Sequence, residues 1–179
     1  MQIGERRAWR LCSQQKLWST TVKKGRKGKV YCCAIKDLFS NRIVGHAVSD
    51  RMTADLAVAA LRTALARREP DGVVIVHANR GSQFRARSLQ AVLKAAGHQG
   101  SMGRVASAGA NAAMESFWAL LQRNVLNTGP WRTRAELHYA ITYWIEHTYN
   151  RRRRQRGLGR LTPIEFELAF TSNTTQAAA

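Results

Sequence analysis

The chain has 179 residues, 45% of them hydrophobic, and carries 29 Lys and Arg against 11 Asp and Glu, a formal charge of +18. That length suggests one domain with at most a short appendage, and the apolar fraction is too high for a largely disordered chain. The charge excludes an acidic or neutral surface and points to a polyanionic partner, nucleic acid first.

Residues 1–16 are basic and aperiodic and read as an N-terminal arm. The β-branched run 17–22 reads as a strand, and Lys23 to Gly28 as a cationic, glycine-bearing turn. Strands over 29–36 and 42–48, linked by the turn 37–41, complete a three-strand antiparallel meander. The period then changes. Residues 53–68 have helical spacing, with Thr53 as N-cap and Asp55 in the first turn. Gly72 to His77 is a continuous apolar run, as in a strand buried on both faces. A helix capped by Ser82 and stopped by Gly97 follows, then a short strand over 98–102 and a flexible loop over 103–109. A helix over 111–125 aligns Met114, Phe117, Trp118 and Leu121. The helix over 133–149 opens on a capping box, Thr133 with Glu136. Residues 151–170 form a basic C-terminal segment with a short helix, and 171–179 a disordered tail. The fold class is therefore α/β: the meander extends into a mixed sheet flanked by helices.

No run reaches the roughly 18 apolar residues of a membrane span, and the N-terminus has no apolar signal region, so a soluble, cytoplasmic protein without membrane contact is expected. Cys12, Cys32 and Cys33 have no metal-ligand spacing and read as reduced thiols, the adjacent pair in the core. Trp118, Trp131 and Trp144 read as core or docking aromatics.

Chemistry is expected where the buried strand over 72–77 ends, at His77-Ala78-Asn79-Arg80-Gly81-Ser82-Gln83-Phe84, because ligands of open α/β sheets gather at strand carboxyl ends. Glu115 is the second point of interest: it is the only acid between Asp71 and Glu136, it lies on a helix, and 35 residues separate it from Asn79. Asp37 reads as an acid of the turn after the second strand, and His77 as a packed or supporting histidine.

These segments, with Asp37-Leu38-Phe39-Ser40, Arg42-Ile43-Val44-Gly45, Asn111 to Trp118, Trp131 to Arg134, Tyr149 to Arg153 and Leu161-Thr162-Pro163, resemble in order and spacing the integrase catalytic core of orfB-type transposases of the IS-three family. The resemblance spans roughly residues 17–170 and implies a ribonuclease-H-like core, over 17–150 of this chain. Such proteins usually carry an upstream helix-turn-helix region, which this chain is expected to lack.

The resemblance also implies a site: three acids holding two divalent cations, Mg²⁺ or Mn²⁺, at a DNA phosphodiester. Hard cations need anionic oxygen ligands to sit together. Only Glu115 matches. The second position is Asn79, and the first, counted from Trp18, is Thr21, with Thr20 or Ser19 as alternatives. Asn keeps the shape of Asp but loses its charge and one acceptor. Metal binding is therefore expected to be weak, resting on Glu115 alone.

Arg151, Arg152, Arg153 and Arg154, with Lys23, Lys24, Arg26 and Lys27 of the first hairpin and Arg80, are the expected phosphate contacts. The resulting expectation is a DNA-binding transposase core with impaired catalysis, acting on transposon ends or non-specific duplex, as a homo-oligomer or beside an active transposase. The alternatives are an active metal-dependent strand-transfer enzyme and a non-functional gene remnant.

Overall fold

The computed structural model describes residues 8–11, 15–17, 30–68, 72–78, 81–102 and 108–177. The strands are β1 (Ala8–Leu11), β2 (Gln15–Leu17), β3 (Val30–Asp37), β4 (Ile43–Ser49), β5 (Ile75–Ala78) and β6 (Gln99–Met102). The helices are α1 (Ala54–Arg67), α2 (Arg87–Ala95), α3 (Ala108–Leu121), α4 (Arg134–Tyr143) and α5 (Pro163–Ala177). A 3₁₀ turn, Ser82–Phe84, precedes α2, and π-helical turns, Gln122–Leu126 and Trp144–Tyr149, extend α3 and α4.

β3 is the hub of one six-stranded mixed sheet. It pairs antiparallel with β4 along one side and with β1 and β2 along the other, while β1 runs parallel to β5 and β5 parallel to β6. Residues alternate between the two faces of a strand, so β3 serves two cores. Cys32 and Ala34 face α3 and α4, among Met114, Phe117, Trp118, Leu137, Ile141 and Tyr149. Cys33 and Ile35 face α1 and α2, among Leu56, Ala60, Leu61, Leu89 and Leu93. Cys32 and Cys33 are both buried in the core, as expected, and Cys12 lies outside the described residues.

Three expectations need correction. The supposed arm contains β1 and β2, and β1 lies in the middle of the sheet, with Trp9 opposite both Asp37 and Val76. Four residues that follow two arginines and contain a third carry little periodic signal; hydrogen-bonding partners on both sides define this strand. Of the strand expected over 17–22, only Leu17 is described, as the end of β2. The tail is not disordered from residue 171, because α5 continues to Ala177. That helix is nucleated at its start, where the Glu165 amide donates to Thr162 Oγ1 and the Thr162 amide to a Glu165 carboxylate oxygen, with Pro163 as the first helical residue. Once a first turn exists, propagation is inexpensive even through Thr and Ser. Finally, Ser82 opens a separate 3₁₀ turn rather than capping one long helix, and buries Phe84.

Candidate active site and nucleic-acid interface

Four residues form one row across the sheet: Lys36, Arg10, His77 and Ser101 are successive register partners on β3, β1, β5 and β6. The Lys36 ammonium is nearly buried, at 5% exposure, and donates to the carbonyl of Ala113 at 3.2 Å. That bond ties the turn of α3 carrying Glu115 to the row that contains His77, two residues before Asn79. Glu115 itself is exposed on α3, whose neighbours Met114, Phe117 and Trp118 anchor the helix in the core. His77 Nδ1 lies 3.3 Å from Ser101 Oγ, a packed position as expected.

The remaining predicted residues divide in two. Thr21, Lys23, Lys24, Arg26, Lys27, Asn79 and Arg80 lie outside the described residues. Arg151, Arg152, Arg153 and Arg154 are described and all exposed, directly after the π-helical turn that ends α4. Asp37 is a turn acid: it is 1% exposed and accepts from the Phe39 amide at 3.1 Å and the Ser40 hydroxyl at 2.8 Å, with an Arg68 nitrogen 3.7 Å away.

Sequence reasoning missed the role of Asn150. It is fully buried; its Oδ1 accepts from the Ile43 amide and its Nδ2 donates to the Ile43 carbonyl, both at 3.0 Å. An amide side chain is suited to this because it pairs with a backbone amide as another peptide would. Tyr149 beside it packs edge-on against Phe117, and burial pushes its phenol up to about 12. The Tyr149-Asn150 pair thus secures the start of β4 and fixes where the arginine run begins. The available signal was an Asn between an aromatic residue and a charge run.

Of the three positions that the resemblance implies, only Glu115 is described; a single carboxylate does not balance the four positive charges of two divalent cations, and Lys36 places a further cation on the α3-facing side of the sheet. Among the described residues, no group of three His, Cys, Asp or Glu could hold a metal ion.

The sheet order, the two helical layers and the acid-bearing α3 define a ribonuclease-H-like α/β core. Two family models, both described as integrase core domain, match residues 13–108 and 96–163, and the chain belongs to this integrase core family. Among its relatives, the transposase for insertion sequence element IS904 of Lactococcus lactis subsp. lactis (strain IL1403) is 36% identical over 142 residues, covering 79% of this chain and 56% of the relative. Transposase InsF for insertion sequence IS3A of Escherichia coli (strain K12) is 37% identical over 141 residues, covering 79% and 49%. The chain thus spans about half the length of the transposases it matches. Among solved structures, the catalytic core domain of BIV integrase superposes with a TM-score of 0.64 at 17% identity, covering 94% of this chain and 97% of that one. The HTLV-2 integrase catalytic core domain in complex with magnesium gives 0.61 at 14% identity, covering 89% and 94%. Among the described residues, no helix is long and apolar enough to cross a membrane.

Proposed function

We propose that the chain is a DNA-binding core of the transposition machinery whose phosphodiester chemistry is impaired. The observation that carries this reading is the donor set: of the three positions at which the family resemblance calls for acids, only Glu115 is a carboxylate. The register of β1 supports a second candidate for the first position. Counting three residues on from Trp9, which lies beside β5, instead of from Trp18 gives Cys12. Cys12 and Thr21 are both non-carboxylate, so the reading does not depend on the choice. The retained cations act on duplex DNA, at transposon ends or without sequence preference, in the bacterial cytoplasm. The core works as a homo-oligomer or as an inhibitory partner of an active transposase.

The test is nicking and strand transfer by the purified chain in Mg²⁺ or Mn²⁺, beside the pairs Thr21→Asp/Asn79→Asp and Cys12→Asp/Asn79→Asp. The unmodified chain is expected to be inactive while binding DNA, with one restored pair gaining activity. Metal-dependent cleavage by the unmodified chain, abolished by Glu115→Gln, overturns the impairment.

A further inference from the structure

A block of five or six like charges is ordinarily a solvated, disordered stretch. Residues 151–160 contain six arginines, and no acid occurs between Glu146 and Glu165, yet this segment is tightly built. The Arg152 and Arg153 amides both donate to the Thr148 carbonyl, at 3.1 and 2.8 Å. The Gln155 amide donates to the Leu161 carbonyl and the Arg160 amide to the Gln155 carbonyl, both at 3.0 Å, closing a loop whose tip is the 3₁₀ turn Arg156–Leu158. Leu158, 4% exposed, anchors the tip in the protein, and Gly159 takes the left-handed conformation at φ +64°. Asn150 holds one end of the loop and the Thr162–Glu165 capping box the other. All six arginine side chains are exposed; the nearest acid, Glu165, stands 3.9 Å from Arg154 across an exposed pair, which does little to neutralise the cluster.

We infer that residues 150–162 form a preformed clamp for the phosphate backbone of duplex DNA, in which Arg156 and Arg160 at the tip bind phosphates together with Arg151–Arg154. This rests on the DNA-binding reading above and adds its geometry. Concentrating six cations on an ordered loop raises their mutual repulsion, which a phosphate backbone relieves on binding. Ordering in advance removes a cost that a flexible basic tail meets when it binds. Arginine rather than lysine suits the role, because its planar fork meets phosphate oxygens in pairs.

Charge and order are separable by experiment. The affinity of the full chain for a fluorescein-labelled duplex is measured by anisotropy across a salt series, with thermal melting as the check on folding. Arg156→Gln/Arg160→Gln is expected to reduce the slope of log affinity against log salt by about 1.8, at about 0.9 for each phosphate no longer neutralised. Gly159→Val retains every charge but strains the left-handed position, and is expected to lower affinity roughly five- to thirty-fold at every salt concentration with the slope unchanged. Strong binding with an unaltered slope in the tip variant overturns the clamp and leaves the DNA-binding reading standing, as does wild-type affinity in Gly159→Val. Loss of all salt-dependent binding in the unmodified chain overturns that reading itself.

Discussion

Asn150→Ala tests how far the basic loop depends on one buried amide. The substitution removes a donor and an acceptor at once, leaving the Ile43 amide and carbonyl at the start of β4 without the partners they hold at 3.0 Å. A hydrogen bond contributes about 1 kcal/mol net, but an orphaned buried group costs about 1–3 kcal/mol, so two such groups give a loss of roughly 2–6 kcal/mol. The lower end applies if water enters the space left by the shortened side chain. Against a domain stability of about 5–15 kcal/mol this is a large fraction. Urea denaturation followed by tryptophan fluorescence measures it, and the midpoint should fall with the slope nearly unchanged. Asn150→Asp sharpens the comparison: its carboxylate accepts from the Ile43 amide but has no donor for the carbonyl, so it too should destabilise. A loss below about 0.5 kcal/mol in Asn150→Ala, the size of an ordinary surface substitution, would refute the claim that this amide secures the strand.

Two further predictions concern β4, one on each face of the sheet. A Cβ at Gly45 would stand 2.3 Å from the Ala60 carbonyl oxygen and 2.8 Å from the Ala64 Cβ, both on α1, so Gly45→Ala must push that helix off β4. A cost of about 1–3 kcal/mol is expected, read as a lower urea midpoint, and an unchanged midpoint would show that the helix shifts freely. His46 touches Thr142 Oγ1 through Nε2 at 3.4 Å and faces Glu146 through Nδ1 at 3.5 Å. Burial lowers its pKa below the usual 6.5, with Arg67 also lowering it and Glu146 opposing. The unfolded chain therefore binds the proton more readily, so this contribution to stability is complete above about pH 6.5 and is lost as the pH falls toward the folded value. His46→Gln should flatten the fall in melting temperature below pH 6.5; an identical pH profile in both proteins would assign the effect elsewhere.

Much of the architecture was legible because it is written in local patterns. β3 and β4 were visible as β-branched and apolar runs around a turn, α1 and α3 as helical stripes, and the start of α4 as a capping box, with the Glu136 amide donating to Thr133 Oγ1 at 3.1 Å. The acid inventory was equally plain: of the eleven carboxylates, only Glu115 falls where the family resemblance calls for an acid. Tertiary structure decided what no local pattern could carry. β1 holds the central slot through pairing with β3 on one side and β5 on the other, contacts between segments far apart in the chain. Lys36 is nearly buried because α3 folds over it and offers a carbonyl. The arginine run, by sequence a solvated stretch, is held in shape by Asn150 reaching back to Ile43. Charge and periodicity belong to single segments and can be read one residue at a time. Burial and pairing belong to two segments at once, and exist only when the chain has brought them together.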